Sequence, residues 1–286
     1  MRALRKPALL GAFFVLPLGC TSTGSEDAGA DPALSSLAVI GLERSVDGDA
    51  EGARLSASAK VARFRGIDGD GLLKVLGAEP RELETCGSSA GLEGGALGPQ
   101  AQVDLLSVGA IEVGLADQHH SLAPRLFPAL ATTAAGWFYA GAAELPGPAS
   151  TGDDPFVLSA AGQAGLGKFE LRGSTPRDVH GLTSGGVPVQ GGSLLSRGDN
   201  LEFTWEPASN SDRIEIEIFA GGGTLSCAAR DDGHFLISRA QLRVLEADES
   251  AALIVRRVRT VPVDMAGVES AYARLAVTRS VSLRVE

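Results

Sequence analysis

The sequence is poor in several residue types, and each scarcity narrows the reading. Lysine occurs four times in 286 residues, aromatics make up 5% of the chain, and there are only two tryptophans and two tyrosines. With a formal charge of −10, the surface repels phosphate backbones and anionic headgroups, because cationic contacts dominate binding to both. Nucleic acid is therefore excluded as an expected partner. No apolar run approaches the ~20 residues of a spanning helix. Helical periods of ten residues or more are also missing, while glycine is abundant at 37; the composition leans toward strands and turns.

The first thing present is a leader. MRALRKP carries Arg2, Arg5 and Lys6 without an acid, and the apolar run 8–18 (ALLGAFFVLPL) follows, ending at Gly19-Cys20. A charged stretch before a short apolar one is the pattern of a secretory signal. Leu16-Pro17-Leu18-Gly19-Cys20 resembles the lipobox of bacterial lipoproteins, in which a small residue precedes a cysteine that takes a diacylglyceryl group. Pro17 and Leu18 depart from that family's usual aliphatic and small residues, and an ordinary secretory signal is the alternative. The resemblance implies lipidation at Cys20, and Thr21 after it implies the outer membrane. TSTGSEDAGADP after the cysteine has the small, acidic composition of a tether. Removing residues 1–19, with their three cations, takes the charge from −10 to −13.

If Cys20 is lipidated, Cys86 and Cys227 remain as an even pair in an oxidising compartment and can bridge the two halves of the chain. Buried cysteines acting as small hydrophobes are the alternative. About 240 residues beyond the tether suffice for two modest domains or one large β domain. Short candidate strands such as QVDLLSVG, AIEVGL, GWFYAGAAEL and PFVLSA are separated by glycine-rich turns. SLAPRLFPALATTAAG has room for a helical turn that Pro124 and Pro128 limit, and 173–186 (GSTPRDVHGLTSGG) reads as a linker.

Beyond that stretch the alternation is cleaner. Leu201, Phe203 and Trp205 share one strand face, as do Ile214, Ile216 and Ile218, and as do Leu275, Val277, Val281, Leu283 and Val285, with Arg279 out of pattern. Ser238 before RAQLRVLE reads as a helix cap. About 100 residues with some seven strands is the size of an immunoglobulin-like sandwich. LEFTW, RIEIEIF, TLSC, a D-D-G turn and HFLIS together resemble a domain that recurs in uncharacterised bacterial envelope lipoproteins, over roughly 187–286. The resemblance implies a fold and brings no activity with it.

Several clusters invite chemistry. Gly87-Ser88-Ser89-Ala90-Gly91 matches a hydrolase nucleophile elbow, but the following LEGGALGP cannot open the helix that motif requires. Asp117-Gln118-His119-His120 offers zinc donors, yet neighbours on a strand face opposite ways. Asp47-Gly48-Asp49 and Asp68-Gly69-Asp70 look like the start of calcium loops, and each fails at a different ligand position. Trp137-Phe138-Tyr139 is a candidate stacking platform for a glycan, with core packing as the default. In CAARDDGHFLI (227–237) a thiol, two carboxylates and an imidazole crowd together, and Asp232-Gly233 gives it the signature of a tight hairpin.

The expectation is thus an all-β chain: a lipoprotein signal peptide at 1–19, a lipidated Cys20 and tether at 20–45, an N-terminal β-sandwich-type domain at 46–175, and a C-terminal immunoglobulin-like sandwich at 176–286. The expected role is a non-catalytic binding or structural module of the envelope, on the outer membrane through its lipid, with a protein or glycan partner. No catalytic residue, metal or cofactor is assigned. The alternative is a secreted hydrolase of envelope or extracellular polymers, which needs a cleft where polar groups converge.

Overall fold

The computed structural model describes residues 34–47, 52–88, 101–115, 118–130, 134–145, 153–163 and 165–286. Cys20 and the expected leader at 1–19 lie outside the described residues. The chain is all-β, as expected. In the first half the elements are β1 (Ser35–Asp47), β2 (Ala53–Arg65), α1 (Gly69–Val75), β3 (Thr85–Ser88), β4 (Gln102–Leu105), β5 (Ile111–Leu115), β6 (Gln118–Leu130), β7 (Ala134–Leu145), β8 (Pro155–Ala160) and β9 (Phe169–Ser174). The second half contains β10 (Thr183–Ser184), β11 (Val187–Pro188), β12 (Ser193–Leu195), β13 (Leu201–Thr204), β14 (Arg213–Ala220), β15 (Gly223–Arg230), β16 (His234–Ile237), α2 (Arg239–Leu242), β17 (Asp248–Pro262) and β18 (Ser270–Val285).

The second half is a two-sheet sandwich. One sheet runs β15-β14-β17-β18 and the other β11-β10-β13-β16. In immunoglobulin lettering the first sheet is C′-C-F-G and β10-β13-β16 of the second is A-B-E, with β12 parallel to β18. The alternation read from sequence holds. Ile214, Ile216 and Ile218 are fully buried, facing Phe203, Trp205 and Ile237 of the other sheet. Ser238 caps α2 in a reciprocal box with Gln241.

The first half is a sheet that curls around its own core. From β18 it continues through β1, β2, β7, β6 and β5 to β8 and β9. Ile40, Leu55, Ile111, Val113, Phe156 and Leu158 fill the inside. The curl closes where Gly167 N–H donates to Ala266 O at 2.7 Å. At Gly267, where φ is +88°, an added Cβ would meet Gly165 O at 2.5 Å, so the closure needs a residue without a side chain. On the outer face of β1, β2 and β4, α1 seats Leu72 and Leu76 over Leu37, Val39 and Phe64.

Four expectations are corrected. Residues 35–45, assigned to the tether, belong to β1, because Leu37 to Ile40 are buried on both faces of a central strand. The split at 175/176 does not separate two sheets: β1 pairs in parallel with β18 from Leu37↔Ser270 to Asp47↔Ser280, and 34–286 is one compact unit. GIDGDG (66–71), one of the glycine-rich turns expected between strands, is not only a turn, for Asp68 Oδ1 accepts Gly71 N–H at 2.7 Å and starts α1. The proline-containing segment is extended throughout β6. Beyond Leu122 this strand leaves β5 and has β7 alone as a neighbour, and such an edge tolerates Pro124.

Candidate functional site

The 173–186 stretch, read as a linker, is held down by three arginines of β1 and β17. Arg257, 1% exposed, donates from Nη1 to the carbonyls of Arg177 (3.1 Å) and Asp178 (2.7 Å), and from Nη2 to Glu206 O at 2.6 Å. Arg44, equally buried, donates to the Asp178 carboxylate. Arg259 makes a two-pronged bridge to buried Asp212 (2.7 and 2.8 Å) and reaches Ser174 O. The segment therefore lacks a linker's freedom.

Asp231 is the hub of this seam. Its Oδ1 accepts Trp205 Nε1–H at 2.8 Å and Arg257 Nη2 at 3.0 Å; its Oδ2 accepts the main-chain N–H of Ala208 and Ser209 and lies 2.9 Å from Arg257 Nε. The carboxylate is 3% exposed, so these donors replace the water it loses. The D-D-G turn is thus not a hairpin within one sheet. β15 pairs with β14, while β16 pairs with β13 in the opposite sheet, and the turn carries the chain across the core. Gly233 has φ +101°, and a side chain there would press on Trp205 O at 3.2 Å. Asp232 and His234 remain at the surface, 3.5 Å apart.

Cys86 and Cys227 stand opposite one another in register and are joined by a disulfide, with S–S 2.02 Å and Cα–Cα 4.0 Å. The bridge fastens β3, which belongs to the first half by sequence, to the free edge of β15 in the sandwich. Glu84 adds to the fastening: its N–H donates to Ala228 O at 2.7 Å and its carboxylate accepts Arg230 N–H at 2.9 Å.

The remaining candidates disperse. Ser88 ends β3, and Ser89 to Gly91 lie outside the described residues. His119 and His120 are neighbours in β6, and His120 Nε2 meets Gln118 Oε1 at 3.2 Å. His180 and His234 sit on other segments, and no three His, Cys, Asp or Glu among the described residues converge on a metal position. The acidic stretch 48–51 is outside the described residues, while Asp68 is occupied as a helix cap.

The aromatic run divides by position. Tyr139 is 2% exposed, and its hydroxyl accepts Val108 N–H at 2.9 Å and bonds Ser107 Oγ at 3.0 Å. Two residues back on the same strand face, Trp137 is 44% exposed, and opposite it in register stands Leu126 at 65%. Here the β6–β7 ladder runs past the core that covers Leu122 and Tyr139, so its apolar face continues into solvent.

One cleft, of about 160 Å³, lies where Asp178 and His180 pass over Val46, Val277, Thr278 and Arg279. Burial raises the Asp178 carboxyl above the ordinary carboxylate range, and the Arg44 guanidinium beside it pulls the other way. The volume is below the roughly 300–1,000 Å³ of sites that take up small molecules, and it opens on the structural seam. The seam itself had a signal in the sequence: three arginines inside the apolar strand ALIVRRVRTV, of which the adjacent Arg256 and Arg257 cannot both face outward. No protein-family model matches the chain, and no curated protein matches its sequence.

Proposed function

We propose that the chain is a lipid-anchored lipoprotein of the bacterial outer membrane, held by Cys20, and that it works as a non-catalytic binding module. The observation that carries the binding reading is the solvent-exposed pair Trp137 and Leu126 on the β6–β7 ladder. The groups that chemistry would need are instead taken up in structure: Asp231 in the seam, Cys227 in a disulfide, Asp68 in a cap. Trp is enriched among residues that dominate interfaces, and an aliphatic neighbour has no flat face to stack on a sugar ring. The pair therefore favours a protein component of the envelope over a glycan.

The anchor is tested by Cys20→Ser, which should release the protein from membranes and abolish fatty-acid labelling; unchanged fractionation and labelling would refute it. The binding surface is tested by photo-crosslinking from position 126 in cells. A protein adduct that disappears with Trp137→Ala supports the reading. Adducts to glycan alone, or an adduct indifferent to Trp137, count against it.

A further inference from the structure

A second surface lies at the far end of the sandwich, in a depression of about 440 Å³ lined by Ser196, Arg197, Gly198, Arg239, Arg243 and Glu286. Three arginines line it in a chain whose formal charge is −10. The buried and half-buried Arg44, Arg256, Arg257, Arg259 and Arg274 face carboxylates, while several surface arginines, Arg279 and Arg284 among them, reach only main-chain carbonyls; what sets this depression apart is three arginines in one lining. Among the described residues none of Arg197, Arg239 and Arg243 has an acid within ion-pair distance, although Glu286 is on the same wall. The Glu286 carboxylate offsets only part of the three like charges, and an anion placed between them relieves the remaining repulsion.

The arginines are set on a fixed frame. Arg239 and Arg243 are four residues apart on α2 and its C-cap, so they project from the same helix side. The capping box at Ser238, the bond from Arg239 N–H to Asn200 Oδ1 (2.9 Å), and buried Leu242 and Leu245 hold this short helix in place. Across the depression Arg197 is oriented by Nη1 donating to Leu245 O at 2.9 Å and by its main-chain N–H donating to Glu286 O at 3.0 Å. Ser196 Oγ accepts Gly198 N–H at 3.2 Å, which leaves the hydroxyl hydrogen for a ligand.

We infer that this depression binds a phosphoryl group, either free phosphate or a phosphate carried on a sugar-sized molecule. Guanidinium forks match phosphate oxygens two at a time, and a dianion offsets three cations better than one carboxylate does. The volume lies within the range for small-molecule sites and leaves room beyond the anion. The site is separate from the β6–β7 surface and stands whether or not that surface has a protein partner.

Calorimetric titration of the purified full chain at low ionic strength tests it, with inorganic phosphate, glucose 6-phosphate and glucose as probes. Saturable binding of a phosphoryl probe, none of glucose, and about tenfold weaker binding in Arg239→Ala and in Arg243→Ala are expected from the loss of charged hydrogen bonds. Both side chains are exposed, so an unchanged melting temperature checks that the variants fold. Tighter binding of the sugar phosphate assigns the carried source, and equal affinities assign the free anion. No saturable binding of either probe, or binding that survives the double variant, overturns the site.

Discussion

Asp231 shows how a residue that looks reactive in sequence is consumed by architecture. Removing its carboxylate leaves Arg257 as an uncompensated charge at 1% exposure and strips Trp205 Nε1–H of its acceptor. Breaking one side of a buried pair costs about 3–5 kcal/mol, so Asp231→Ala should lower unfolding stability by that amount in urea titrations. Adding Arg257→Met to that variant should recover part of the loss, because a similar-sized apolar group has no charge to desolvate. A single-variant cost no larger than that of an exposed substitution would remove Asp231 from the centre of the seam. The sequence announced that something charged sat in the β17 core, through Arg256 and Arg257, but not which carboxylate met it. Partners 26 residues apart, as Asp231 and Arg257 are, leave no local spacing signal.

At the scale of elements, the legible strands were those with one wet face. β13, β14 and the 281–285 end of β18 alternate, and their inward positions are buried as read, while Leu275 to Thr278 of β18 are covered on both faces. β1 is not legible because a strand covered on both sides does not alternate, and Leu37 to Ile40 are buried on both faces. β3 was illegible for a different reason. Its four residues gain their place by pairing with the β15 edge and by the bridge from Cys86 to Cys227, across a sequence separation of 141. Closing a loop of that size stabilises by about 4–5 kcal/mol on the chain-entropy estimate. Replacing Cys86 by Ser and Cys227 by Ala should therefore lower stability by that order. Hydrogen exchange should quicken first in 85–88 and 225–228, while the β14–β17 ladder stays protected. Equal quickening across β14 would mean that β3 holds the sandwich together rather than covering its edge.

For the whole molecule, the decisive feature is that the two ends of the chain lie side by side. β1 is parallel to β18 along eleven residue pairs, and β17 and β18 each serve two cores, with Leu253 and Leu283 in the sandwich and Val261 and Leu275 against the core of the curled sheet. Each half has its own core, which is why composition and turn spacing suggested two domains. The shared strands and the arginine seam remove the boundary that those cores imply. Unfolding should accordingly be one cooperative transition, with tryptophan fluorescence and far-ultraviolet circular dichroism coinciding across a urea titration. Buried Trp205 dominates the change in fluorescence, because Trp137 is already 44% exposed, and the dichroism reports from all the strands, so early loss of either half would separate the two curves. A chain starting at residue 176 would lack β1 along β18 and β3 along β15, leaving two unpaired sheet edges of the kind that aggregate. It should fail to fold alone, and a fragment melting at the temperature of the full chain would show that the halves are independent after all.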